Sequence, residues 1–162
     1  MFLFPAAEGR SIVNQNSFSA DRRLIESLLK RSCEVSCNEG RVLFSQGDAP
    51  VGIYLVERGE AALVMTSAVG RVVMRFHAGA GSVLGLPAIL GDQPYSLTAM
   101  AEKDCEVRFV TRSDFEELMR AEPSLYPYVL QVLAAAVRSA RLAAADWKDQ
   151  AGRDQFRTPV AS

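Results

Sequence analysis

Residues able to do chemistry are sparse in this chain. His77 is its single histidine, and Cys33, Cys37 and Cys105 are its three cysteines. One histidine cannot serve every role in a nucleophile–base–acid set, so no hydrolytic constellation is expected. It ends a strand before "AGAG", with no acid or cysteine placed near it along the chain, and reads as a partly exposed polar residue. Three residues separate Cys33 from Cys37, and Cys105 is distant. A closed zinc or iron–sulfur site needs four ligands, so no metal and no other cofactor is expected. Cys105, in an apolar strand, reads as inert core, and Cys33 and Cys37 are the candidates for a thiol sensor. There is no Walker loop or dinucleotide fingerprint. "GAGSVLG" is rich in glycine but precedes a turn rather than a Rossmann helix. The chain is expected not to be an enzyme.

One stretch does have the outline of a binding site. "GLPAILGDQPYSLTA", from Gly85 to Ala99, runs glycine, short apolar helix, polar turn, strand. A short helix opening after glycine presents backbone N–H groups to an anion. Yet the stretch holds no basic residue, and its only acid is Asp92.

The elements that must position it follow from pattern. The 162 residues suit one domain with its own core. Eighteen basic and nineteen acidic residues leave a formal charge of −1, which gives no overall pull toward nucleic acid or an anionic membrane. The odd cysteine count is not a disulfide framework. "MFLFPAAEGR" has no basic segment before its short apolar run, and no stretch is expected to approach a membrane span. A cytoplasmic protein is expected. Residues 1–19 read as an N-terminal arm whose Phe2, Leu3 and Phe4 could dock on a partner subunit. "SADRRLIESLLKRS" is a helix capped by Ser19, with Leu24, Ile25, Leu28 and Leu29 as its stripe. From Cys33 to about Val110, about eight short β runs are separated by turns such as Gly47-Asp48 and Arg58-Gly59, the spacing of an antiparallel sandwich or barrel. Ser113 and Glu116 form a capping box for a short helix that Pro123 stops. A long helix runs from about 124 to 148, with Pro127 in its first turn. Residues 149–162 read as a flexible tail.

"GRVLFSQGDAPVGIYLVERGEAALV", Gly40 to Val64, resembles the first half of a cyclic nucleotide-binding domain of the superfamily of the catabolite activator protein and the fumarate–nitrate regulator. The Gly47-Asp48 turn, the strand around Tyr54 and the Gly59 turn all agree, and the likeness extends over residues 20–148. The resemblance implies a mainly β fold: an eight-stranded jelly-roll barrel with an N-terminal helix, a C-terminal dimerisation helix and a pocket inside the barrel.

Gly85–Ala99 stands where that family keeps its phosphate-binding cassette. There a glutamate accepts from the ribose hydroxyl and an arginine pairs with the phosphate. This chain keeps Gly85, Ala88, Ile89, Leu90 and Ser96. It has Leu86 at the glutamate position, Tyr95 at the arginine position, and Pro87 in place of leucine. An arginine–phosphate contact is worth about 1.5–3 kcal/mol. Losing it with the ribose contact lowers affinity by roughly two to four decades. Tight cyclic AMP or cyclic GMP binding is therefore not expected. The implied pocket comprises Gly85, Leu86, Pro87, Ala88, Tyr95 and Ser96, with Leu63 and Arg75 from the strands. Tyr95 is expected to offer its hydroxyl to a weakly charged or neutral ligand. Arg75 is a compensating cation if it points inward, although the solvent face is the commoner place for arginine.

Val129, Leu133, Ala136, Ala140, Ala143 and Trp147 are spaced 4, 3, 4, 3, 4, a heptad seam. In the resembling family the matching helix makes a parallel homodimer, so these residues are expected at a dimer interface. A helix packed on its own barrel would use Leu130, Val137 and Leu142 instead. The dozen residues after it are too few for a helix-turn-helix module, so this chain is expected not to bind DNA directly. A small-molecule or nucleotide-like ligand and a second copy of the chain are the expected partners. The sensory half of a transcription regulator and a purely structural dimerisation module are the rival readings.

Overall fold

The computed structural model describes residues 18–155. The expected Phe2–Phe4 docking segment and residues 156–162 of the expected tail lie outside them. The element order is α1 (Arg22–Leu29), β1 (Cys33–Val35), β2 (Val42–Phe44), β3 (Gly52–Arg58), β4 (Ala61–Thr66), β5 (Val72–Ala78), β6 (Val83–Leu84), α2 (Leu86–Gly91), β7 (Thr98–Ala101), β8 (Glu106–Thr111), α3 (Arg112–Ala121), a 3-10 turn (Pro123–Leu125) and α4 (Tyr126–Gln155).

The strands form two antiparallel four-stranded sheets, in the orders β1-β8-β3-β6 and β2-β7-β4-β5. The expected barrel is therefore an open jelly-roll sandwich. Closure requires a continuous ladder around the ring, and the ladders here stop at short edges, two residues in β6 and three in β1 and β2.

β3 shows why a sequence run is apolar without alternating. Tyr54 and Val56 face the cluster between the sheets, with Phe44, Leu63 and Phe76. Ile53 and Leu55 face a second cluster, where α1, α3 and α4 cover the sheet with Leu24, Leu28, Phe115 and Val129. A strand buried on both faces needs apolar residues at every position. Gly52 opens it, and a Cβ there would lie 2.3 Å from the Val110 carbonyl.

Helix starts differ from the expected caps. α1 is capped by Asp21, whose carboxylate accepts from the Arg23 N–H, while Ser19 bridges to Ser82. α3 is capped by Thr111, which accepts from Asp114, rather than by Ser113. In both cases the hydroxyl or carboxylate nearest the first free N–H groups does the capping. α4 continues through Gly152 to Gln155, beyond the expected end at 148. It is also long and apolar enough, by length and composition, to cross a membrane, contrary to the reading that no segment approaches that mark. Its Val129, Val132 and Ala143 are buried against the domain.

Candidate functional site

The Gly85–Ala99 cassette keeps its backbone shape. Gly85 caps α2 at φ +93°, where a side chain is strained, and a Cβ there would sit 3.2 Å from both the Gly52 carbonyl and the Tyr95 ring. Pro87 stands in the first turn, where a missing N–H is harmless. Asp92 ends α2 in the left-handed region at φ 49°, and its carboxylate accepts from Arg112 at 2.8 Å, on the surface. The cassette's one acid is thus held outward.

Tyr95 and Leu86 turn inward by different routes. The Tyr95 ring is buried and stacks on Phe44, centroids 4.2 Å apart. Its hydroxyl donates to the Gly52 carbonyl at 2.7 Å and accepts from the Val51 and Gly52 N–H groups at 3.1 and 3.2 Å. The expectation that this hydroxyl serves a ligand is corrected: the backbone at the start of β3 uses it fully. Leu86 is 1% exposed and belongs to the cluster under the helices, with Ile53, Val129 and Val132. The cassette therefore spans both cores.

Between the sheets and α4 lies a cavity of about 50 Å³. That is room for a few water molecules. Gly85, Leu86, Pro87, Ala88, Tyr95, Ser96 and Leu63 all line it. Arg75 does not. It is exposed on β5 opposite Val64, on the face away from Phe76 and the core. A guanidinium on the inner face would lose its water without a partner, which explains the outward placement. The sequence reading missed Phe18, Phe44, Val83, Leu84, Leu97 and Val132, which also line the cavity. Phe18 was assigned to the arm, yet it packs edge-on against Phe76 at 6.0 Å. Among the described residues, no charged side chain lines the cavity.

Helix α4 contributes the wall opposite the cassette, and its faces differ from the expected ones. Val129 and Ala143 are buried, and Leu133 and Ala136 are half-buried against their own domain. Ala140 and Trp147 are exposed. Leu130, Val137 and Leu142, the residues a self-packed helix was expected to bury, are 60%, 51% and 61% exposed. The inward seam is thus Val129, Val132, Ala136 and Ala143.

The thiols fall in three environments. Cys33 is exposed, Cys37 half-buried and Cys105 buried. Burial first, and then a contact with Cys37, pushes the Cys105 thiol up to about 12, so it is unreactive where it sits. His77 is not isolated, because Glu60 and Glu102 both come to it.

Two antiparallel sheets with a glycine-capped short helix at the pocket and a long helix over it define a jelly-roll domain. The sequence profile described as cyclic nucleotide-binding domain matches residues 34–122, more than half of the chain, and the chain belongs to that family. The cyclic AMP receptor protein of Thermus thermophilus is 30% identical over 104 residues, 64% of this chain and 48% of its own length. Human patatin-like phospholipase domain-containing protein 6 is 32% identical over 98 residues, 59% of this chain and 7% of its own length. The crystal structure of the Thermus thermophilus catabolite activator protein superposes with a TM-score of 0.59 at 27% identity, covering 80% of this chain and 59% of that one. The c-di-GMP responsive global regulator of Xanthomonas campestris has the same fold, at a TM-score of 0.60 and 20% identity, covering 85% of this chain and 66% of that one. The chain therefore spans about half of the receptor and a small part of the phospholipase.

Proposed function

We propose that this chain is a non-catalytic regulatory domain of the cyclic nucleotide-binding family whose pocket does not hold cyclic AMP or cyclic GMP with ordinary affinity. The observation that carries this reading is the cavity wall. Among the described residues it has no charged side chain, and the residue at the arginine position, Tyr95, has its hydroxyl bonded to the backbone of Val51 and Gly52. A phosphate diester entering such a wall loses its hydration without a compensating cation. A neutral or weakly charged apolar ligand fits the lining better. Such a ligand acts by moving α4, which supplies Val132, Leu133 and Ala136 to the cavity. Isothermal calorimetry with both cyclic nucleotides tests the reading. Heats too weak to fit at micromolar nucleotide are expected, and low-micromolar affinity overturns it.

The domain works as a homodimer in the cytoplasm on this reading, through a seam shifted from the expected one. Tyr126, Leu130, Leu133, Val137, Ala140, Ala144 and Trp147 are spaced 4, 3, 4, 3, 4, 3. All are exposed or half-buried, and they form a continuous apolar stripe beside the inward face of α4. An apolar stripe of this length on a water-facing helix is the pattern of a coiled-coil seam. A dimer at tens of micromolar in sedimentation supports this, and a monomer there overturns it.

A further inference from the structure

Glu60, His77 and Glu102 come from three strand ends that the chain separates widely. Glu60 directly precedes β4, His77 lies on β5 and Glu102 directly follows β7. The registers explain the meeting. Ala61 pairs with Ala101, so Glu60 and Glu102 face each other one step further on, and the Glu102 N–H donates to the Glu60 carbonyl at 3.0 Å. His77 pairs with Ala62, two residues from Glu60 and therefore on the same face of the sheet. That face is the one away from Phe76, Leu63 and the cavity.

Three facts set this cluster apart from a chance surface grouping. One ligand atom from each residue lies within 4.8 Å of the others. Two carboxylates directly across an antiparallel pair repel each other, an arrangement that calls for a cation between them. His77 Nδ1 is shut off from solvent and makes no hydrogen bond among the described residues, although the Glu102 carboxylate is 3.4 Å away. Ligand bonds of 2.0–2.2 Å at tetrahedral angles separate ligand atoms by about 3.4 Å. His77 and Glu102 already stand at that separation. The imidazole and Glu102 stay partly exposed, at 42% and 32%, which leaves room for water to complete a coordination shell.

We propose that Glu60, His77 and Glu102 form a site for a first-row divalent cation such as Zn²⁺ or Mn²⁺. One imidazole nitrogen and two carboxylate oxygens are a donor set for that class. The cation clamps β7, β4 and β5 from outside, and on the inner face of the same strands Leu63 lines the cavity. Metal on this face stiffens a pocket wall without touching the pocket.

Manganese is the sharper probe, because thiolates do not favour it and the cysteines then stay out of the measurement. In the untagged chain His77 is the single histidine, so its ring-proton resonances are unambiguous. Titration of the wild type with Mn²⁺ should bind one ion per chain, by equilibrium dialysis, and broaden those resonances first. His77→Ala and Glu102→Gln should each weaken binding by at least about tenfold, the scale typical of losing even a supporting residue around a metal. Zn²⁺ should raise the melting temperature of Cys33→Ser/Cys37→Ser protein in a concentration-dependent way that EDTA reverses. No ion bound at millimolar Mn²⁺ and Zn²⁺ overturns the proposal. So does binding that leaves the His77 resonances unchanged, or that survives His77→Ala undiminished. The wild-type resonances decide the matter even if a variant fails to fold.

Discussion

The cassette and helix α4 face each other across the cavity and dispose of their apolar surface in opposite ways. In the cassette, Leu86, Ala88, Ile89 and Tyr95 are all buried within the domain. In α4, one stripe is buried and a second, with Leu130, Val137 and Trp147, faces water. The cassette is complete without a partner: its buried Tyr95 hydroxyl is bonded and its one acid pairs with Arg112. Helix α4 is not complete in that sense. The difference teaches where the domain has surface to communicate with. The cassette has no charge left to offer the cavity, while α4, which faces it, keeps apolar surface to offer outward.

The strongest way to break this comparison is to put charge back into the cassette. Leu86 is deep in the cluster under the helices, so Leu86→Glu places a carboxylate among Ile53, Val129 and Val132. An uncompensated charge in such a place costs about 3–5 kcal/mol. Leu86→Glu with Tyr95→Arg is accordingly expected to destabilise the fold by at least that much, measured by urea denaturation, and not to restore cyclic-nucleotide binding. A stable double variant that binds cyclic AMP shows instead that the cassette is open and only its charges were missing.

A second test uses adjacent residues of α4 that point opposite ways. Ala136 lines the cavity and Val137 is exposed. Ala136→Glu should cost about 1–3 kcal/mol of fold stability through overpacking and a part-buried charge. Val137→Glu should change fold stability by no more than about 0.5 kcal/mol and turn the dimer into a monomer in sedimentation. If Ala136→Glu alone dissociates the dimer, the seam from Val129 to Trp147 is the interface after all.

These two residues also show how far the sequence was legible. The β pattern, the short helix after Gly85 and the long helix were readable, because each rests on a local signal: turn glycines, alternation, helical period. The phase of α4 was not. Its alanines support several seams equally, and which one meets the sheet depends on how the 3-10 turn Pro123–Leu125 sets the helix down. Tyr95 was recognised as the changed position, but its hydroxyl's partner, Gly52, is 43 residues away. His77 read as isolated for a related reason, since only the strand registers bring Glu60 and Glu102 to it. Phe18 fell in a stretch without period, where a single aromatic carries no pattern. What pattern cannot reach is long-range partnership.

A smaller effect sharpens the account of Tyr95. Tyr95→Phe keeps the ring and its stacking on Phe44 while removing the hydroxyl from three backbone groups, the Gly52 carbonyl and the Val51 and Gly52 N–H groups. Leaving buried backbone groups unpaired costs about 1–3 kcal/mol. The loss should appear as a lower urea midpoint with an unchanged slope, and the cavity should show no new affinity for cyclic nucleotides. A variant as stable as the wild type means that water replaces the hydroxyl, so that the start of β3 is wetter than the structure implies.

The smallest effect separates closed from open surface at the level of single thiols. Cys105 is buried and its thiol is pushed up to about 12, chiefly by desolvation of the thiolate. An unfolded cysteine ionises near about 8.5. The folded chain therefore keeps a proton that the unfolded chain gives up, so this group's contribution is whole below about pH 8.5. It is lost as pH rises from there toward the folded value of about 12. Comparing wild type with Cys105→Ala isolates that term, because alanine does not titrate. Their difference in unfolding free energy should be constant from pH 6 to about 8 and should shift against the wild type between about pH 9 and 10. In the same range an alkylating reagent should modify exposed Cys33 at once and Cys105 only when the chain unfolds. Rapid alkylation of Cys105 in the folded protein, or a difference that stays flat to pH 10, means that the β1–β8 edge of the sandwich opens to water, and that the domain is less closed on this side than its cassette is.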